Sequence, residues 1–476
     1  MDANQLHQAE ECLFHLPHKG GMRVPFWFFG TRELLLDMGP EVLQQAANVA
    51  HLPGIRTASM AMPDAHWGYG FPIGGVAAFD PDRDGVISVG GIGYDIACGV
   101  RTMRTGVGRE TIQARLQELA DALYKTVPAG LGSEGKVKLT ASKQDRLLEN
   151  GAVWAVEKGY GEEADLGFIE DRGRMDGADP DKVSDTAKKR QKRQVGTLGS
   201  GNHYLEIQCV DEIYDAEAAE AFGLFRDEVL VTVHSGSRGL GHQIGTDYIQ
   251  ILGRAMSKHK LSPPARELVC APIRSQEGED FFRAMCCGVN NALANRQVLG
   301  HLARKAFSSV IPEARLELIY DVSHNTCKIE DHEVDGVSTR LYVHRKGATR
   351  AFGPESAEIP KPYRGIGQPV IIGGSMGSSS YILAGNGAGR NRAWGSACHG
   401  AGRAMSRKKA TKTWSAKDVI GDLARQGILV KAASKKGAAE EAPMAYKNAE
   451  MVVEATHRAG LARKVARMKP LACIKG

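Results

Sequence analysis

The sequence predicts a mixed α+β fold in one large domain, and three observations carry that expectation. Apolar content of 42% beside 24% charged residues is that of a globular chain. At 476 residues the chain is long enough to bury a large core. Helical and β-like stretches then follow one another without the regular alternation that a doubly wound parallel sheet requires. No internal repeat and no low-complexity linker divides the chain, so a single domain over 1–476 is expected.

The stretch 109–126, "RETIQARLQELADALYKT", spaces its apolar residues as a helix does, and so do 279–309, 415–430 and 447–460. Between them lie β-like runs, "VAAFD", "GVISVG", "EVLVTVH", "RLELIYDVSH" and "QPVIIGGS", several of which end in Gly, His or Ser. Residues 161–195 are charged and turn-rich and read as a surface excursion or a helical hairpin. The N-terminus, "MDANQLHQAEECLFHL", has acidic residues where a secretory signal has a basic region. With no run of 18 or more apolar residues, a cytoplasmic protein without a membrane partner is expected.

Nine cysteines are scattered in neither a disulfide framework nor a CxxC pair, so most read as buried free thiols. The net charge of +6 hides an asymmetry: 401–476 carries 17 Lys/Arg against 6 Asp/Glu, while the first 400 residues are slightly acidic. This basic C-terminal part suits a polyanion such as RNA, or is plain solvated surface. Two phosphate-loop resemblances fail. "GLGSEGKV" (130–137) has Gly130, Gly135 and Lys136 of a P-loop but Val137 where a hydroxyl must hold magnesium. "GNGAGR" (385–390) lacks the GxGxxG spacing of a dinucleotide fold. Neither a P-loop nor a Rossmann domain is expected.

The chemistry concentrates elsewhere. "GGIGYDIACGV" (90–100) sets Asp95 and Cys98 three residues apart in a glycine-rich bend. "GSGNHYLE", "VTVHSGSRGLGH" and "YDVSHNTC" have the same texture and supply His203, His234 and His324, the last two at or just beyond the end of a β-like run. Strand ends are rigid and can converge on one cation. Asp95, Cys98, His203, His234 and His324 are therefore five candidate ligands, though each alone also reads as a satisfied core residue. A thiolate can bridge two metals; thiolate and imidazole favour zinc, and the carboxylate admits manganese. In "GSACHGAGRAMSR" (395–407), His399 stands among small residues, where it reads as a nucleophile towards phosphorus or as a helix-terminating turn. Arg403 could hold phosphate oxygens, and "IIGGSMGSSS" (371–380) could form an anion nest.

With these residues in place, the chain resembles the RtcB family of RNA-splicing ligases from about residue 20 to the terminal "KPLACIKG". The likeness is carried by "PDAHWGYGFPIGGV", "GGIGYDIACGVR", "GTLGSGNHYLEI", "VHSGSRGLGHQIG", "DVSHNTCK", "HRKGATRAF", "GSMGSSSYIL" and "CHGAGRAMSR". The resemblance implies a compact α+β fold of the RtcB type that joins RNA 3′-phosphate or 2′,3′-cyclic phosphate ends to 5′-hydroxyl ends, in tRNA splicing or RNA repair. It implies two Mn²⁺ ions and GTP as cofactors, with GMP carried covalently on His399. Cys98 would bridge the ions, Asp95 and His203 completing one site and His234 and His324 the other. Asn202, Glu206, Asn325, Ser375, Met376, Ser380, Gly400, Gly402 and Lys475 fall where the family contacts the guanylate, and Asp64 would help activate the incoming hydroxyl. The partner is then broken tRNA or other RNA, and the family also uses an archease-type activator.

One departure stands out. Where the family commonly has proline before "GSMG", this chain has Gly373, and glycine loosens a backbone that proline fixes. Weaker preorganisation is expected there, and a metal-dependent cyclic phosphodiesterase without sealing activity is the alternative.

Overall fold

The computed structural model of the chain describes residues 1–387 and 391–476, so the end of the "GNGAGR" stretch lies outside the described residues. Two large sheets organise the rest. One runs, in spatial order, Glu317–Ser323, Gly99–Gly108, Glu228–Ser235, Tyr204–Ile213, Ala462–Lys475, Ser380–Gly385 and Pro369–Ile372, with Leu429–Ala432 parallel to the C-terminal end of Ala462–Lys475. The other runs His7–Glu10, Leu13–Leu16, Phe26–Phe29, Ile55–His66, Ile73–Phe79, Val337–Lys346 and Asn325–Val334. Pairing is antiparallel apart from Phe26–Phe29 on Ile55–His66 and the 429–432 strand. The mixed α+β expectation holds, with neither a Rossmann nor a P-loop arrangement among the described residues.

The strand "EVLVTVHS" (Glu228–Ser235) is buried at every position, as a continuous apolar run in a central strand should be. Its register places Val100 and Tyr204 on either side of His234, and Gly99 opposite Ser323 on the other flank of its own strand. Cys98, His203, His234 and His324 thereby come to one edge of the sheet. His324 is also the single residue between Glu317–Ser323 and Asn325–Val334, so the chain passes from one sheet to the other at that histidine.

Behind this edge lies the helix Gln276–Val310, 35 residues long, whose first turn is capped by Ser275 accepting from the Gly278 N–H. Residues 284–300 are all buried, including Asn290, Asn291, Asn295, Arg296 and Gln297. Buried polar groups must be bonded, and these bond to loops. Asn295 accepts from the N–H groups of Gly196 and Thr197 and donates to the carbonyls of Thr197 and Gly236. Arg296 donates to the carbonyls of Ala97 and Ser235 and pairs with Asp321, which also holds Arg101.

The helical expectations are met at 279–309 and 447–460. The 109–126 stretch divides into Arg109–Gln113 and Leu116–Thr126 because Arg115 leaves helical geometry. The 415–430 helix stops at Arg425, where Gly427 takes a left-handed conformation and Leu429–Ala432 becomes a strand. Residues 161–195 form short 3₁₀ turns and the helix Asp185–Gln191. Several charges of this stretch point inward, Asp165 onto Arg304 and Glu170 onto Lys328. Among the described residues no helix is long and apolar enough to cross a membrane.

Candidate active site

Five side chains from four separate segments converge at the sheet edge. Cys98 Sγ lies 3.3 Å from His203 Nε2 and 3.2 Å from His234 Nε2, and His234 Nε2 lies 3.2 Å from His324 Nε2. Asp95 Oδ2 is 2.9 Å from His203 Nε2. The donor atoms form two triads, Asp95 with Cys98 and His203, and Cys98 with His234 and His324, sharing the thiol. All five ligand candidates are therefore brought together. His242, in the same motif as His234, instead stacks on Tyr94 with ring centroids 5.5 Å apart.

The bend supplying Asp95 and Cys98 is pinned from several sides. The Ala97 N–H donates to the Asn325 carbonyl, Arg296 takes the Ala97 carbonyl, and Ala97 itself sits at φ 52°. A left-handed alanine is strained, and such strain persists only where surrounding bonds over-determine it. Arg238, also left-handed at φ 56°, brings its guanidinium to 3.1 Å from His203 Nδ1.

Burial sets the electrostatics. It pushes His234 and His324 well below their ordinary value, keeping both imidazoles neutral and able to ligate. It also lowers His203, against the opposing pull of Asp95. Burial would raise Asp95, but the hydrogen bond from His203 together with the surrounding positive charge, Arg238 included, outweighs it and holds the carboxylate well below its usual range. Cys98 is raised far above a free thiol by burial and by the Asp95 charge, a state that a bound cation would reverse. The set of one thiol, three imidazoles and one carboxylate, converging at these distances, fits a divalent transition metal.

His399 follows the short strand Ser396–Cys398 and faces this cluster, its ring centroid 4.7 Å from that of His324. Asp64, fully buried on Ile55–His66, fixes it. Asp64 Oδ2 is 2.7 Å from His399 Nδ1 and accepts the backbone N–H groups of His399 and Gly400. A neutral ring then carries its proton on Nδ1 and keeps the Nε2 lone pair free. Gly402, at φ +75°, lets the turn lie against the Asp64 strand: a Cβ there would stand 2.3 Å from the Asp64 carbonyl oxygen.

A cavity of about 930 Å³ opens over the cluster and His399. Of the candidate guanylate residues, Asn202, Glu206, Asn325, Ser375, Met376, Gly400, Gly402 and Lys475 line it. Ser380 stands behind the wall, accepting from the Gly374 N–H and from Gln208, which also donates to Glu206. Burial pushes the Glu206 carboxyl up to about 8, so it carries a proton at neutral pH and can donate as well as accept. Asn325 bridges the Asp95 carbonyl and the Gly347 N–H.

Arg403 lines the cavity, as a phosphate-holding residue must, with its guanidinium already engaged. Its guanidinium is taken up by Glu441, the Tyr446 hydroxyl and the carbonyls of Met405 and Glu440. Sequence reasoning passed over Tyr204 and Tyr446, which also line the cavity. Tyr204 is adjacent to His203 in the quoted motif, and that was its only signal; Tyr446 had none.

A family model described as tRNA-splicing ligase RtcB matches residues 45–476. The chain is 50% identical over 460 residues to the tRNA-splicing ligase RtcB of Thermococcus kodakarensis, covering 96% of this chain and 95% of that protein. It is 50% identical over 472 residues to that of Methanococcus maripaludis, with 98% of each chain covered. The RNA-splicing ligase RtcB of Mycobacterium tuberculosis is 48% identical over 434 residues, 91% of this chain and 100% of that one.

Proposed function

Because the chain belongs to the RtcB family of tRNA-splicing ligases, we propose that it is a GTP- and manganese-dependent RNA ligase joining 3′-phosphate or 2′,3′-cyclic phosphate ends to 5′-hydroxyl ends. The observation that carries this reading is the pair His399 and Asp64 beside the thiol–imidazole cluster, with Nδ1 held on the carboxylate and Nε2 left for the cavity.

Asp95, Cys98 and His203 would hold one Mn²⁺, and Cys98, His234 and His324 a second. When bound, such ions neutralise and polarise phosphate oxygens. His399 Nε2 attacks the α-phosphorus of GTP; a P–N bond forms, the bond to the β-phosphate oxygen breaks, and pyrophosphate leaves. Asp64 holds the Nδ1 proton and stabilises the positive charge that builds on the ring. That role through His399 fits the geometry better than activation of an incoming hydroxyl. Glu206 and Lys475, both on the cavity wall, would receive the guanylate, Glu206 as a carboxyl raised by burial. An RNA 3′-phosphate oxygen then displaces His399 from phosphorus, and the 5′-hydroxyl of the second strand attacks the capped phosphate and expels GMP.

Incubation with Mn²⁺ and α-labelled GTP tests this. Wild type should retain label after denaturation, and His399→Ala or chelated protein should retain none. Label surviving His399→Ala removes that nucleophile. Release of a 3′-phosphate with no longer strand, GTP and Mn²⁺ present, would instead leave a cyclic phosphodiesterase.

A further inference from the structure

Tyr204 opens the strand Tyr204–Ile213, directly after His203. Its ring lies edge-on to His234, centroids 5.3 Å apart, and beneath Lys475 Nζ at 5.7 Å. The residue is only 9% exposed and lines the cavity, yet among the described residues its hydroxyl has no hydrogen-bond partner. The hydroxyl is not among the fully buried unpartnered atoms, so it opens to the cavity, where a bound group can meet it.

The same oxygen stands where a side chain at 373 would need room. A Cβ on Gly373 would lie 2.6 Å from the Tyr204 oxygen but 3.7 Å from its Cζ, so it is the hydroxyl and not the ring that excludes a side chain. Gly373 in turn touches the nucleophile's turn: its carbonyl accepts the Ala401 N–H, and it bridges to Gly400. Tyr204, Gly373 and His399 line the same cavity.

We infer that the Tyr204 hydroxyl donates a hydrogen bond to the sugar–phosphate portion of the nucleotide held at His399, and that glycine at 373 is what makes room for it. The inference rests on the nucleotide-binding reading above. On this account Gly373 supplies space for a donor, where the sequence suggested a looser backbone.

Four proteins test it: wild type, Tyr204→Phe, Gly373→Ala and the double variant. Each is followed by the rate of labelling from α-labelled GTP and, without metal or GTP, by thermal melting. Tyr204→Phe should raise KM for GTP by about threefold to tenfold, the worth of one hydrogen bond, with the limiting rate falling less than KM rises. Gly373→Ala should lower the melting midpoint by a few degrees in the wild-type background and leave it unchanged in the Tyr204→Phe background, where 3.7 Å is ordinary contact. An unchanged KM in Tyr204→Phe overturns the contact, and an equal loss of melting in both backgrounds overturns the pairing. Absence of label on wild type removes the nucleotide reading and the donor role with it, while the melting cycle still decides whether Tyr204 and Gly373 are coupled.

Discussion

The division of labour between His399 and Asp64 depends on one oxygen. Asp64 Oδ2 is near three nitrogens, two of them backbone, so it fixes the turn and the tautomer together. Asp64→Asn keeps the size and an acceptor but removes the charge opposite the developing imidazolium. The initial rate of labelling by GTP should then fall roughly a hundredfold, within the range for a lost acid–base partner, while metal content measured by elemental analysis stays at the wild-type level. A rate within error of wild type would reduce Asp64 to a purely structural brace. The histidine was legible in the sequence from its small neighbours, and Asp64 was named only through the family resemblance and for another role; their pairing was not legible, because the two are 335 positions apart and only the fold joins them.

The strand Glu228–Ser235 serves two ends. His234 near one end faces the cluster, and Glu228 at the other is fully buried, with Oε1 on the Gly106 N–H and Oε2 without a partner. Burial pushes the Glu228 carboxyl up to about 7, against Gly106 and Arg104. The folded value exceeds the unfolded value near 4.5, so the folded state keeps the proton across that interval. Stability from this group is full below the interval and is lost as pH rises through about 7. Glu228→Gln should therefore be more stable than wild type at pH 8, by on the order of 2 kcal/mol. The advantage should vanish near pH 5, as followed by chemical denaturation at both pH values. An equal difference at both would mean that the carboxyl does not titrate there. The element itself was readable from "EVLVTVH". Its unpaired carboxylate oxygen was not, since that depends on what packs over the strand.

Across the whole molecule, the basic C-terminal part divides by partner. Arg463 pairs with Asp215, Lys464 with Glu454, Arg467 with Asp211 and Glu212, Lys469 with Asp211, and Arg407 with Glu441. Lys408, Lys409 and Lys412 are exposed on the helix Arg407–Thr413, whose first residue lines the cavity rim. Replacing these three lysines by glutamate should weaken binding of a single-stranded RNA and reduce the salt slope of that binding by about two, at roughly 0.7 per lost phosphate contact. Fluorescence anisotropy at several salt concentrations reads this, and an unchanged slope would place the RNA on another face. Labelling by GTP should persist, since none of the three lines the cavity.

The sequence by itself determined the ingredients: a mixed fold, strands that end in ligating residues, a thiol three positions from a carboxylate, and a histidine among glycines. Periodicity, glycine placement and donor chemistry are local properties, so they survive in one dimension. Only the tertiary structure decided which of these meet. The antiparallel register aligned Cys98, His203, His234 and His324 at one edge, the chain crossed between sheets at His324, and a buried aspartate from the second sheet locked His399. It also tied up the Arg403 guanidinium on Glu441 and Tyr446 at the cavity wall and left the Tyr204 hydroxyl without a protein partner there. Packing and register depend on residues hundreds of positions apart, and a single sequence does not display the pairings that set them.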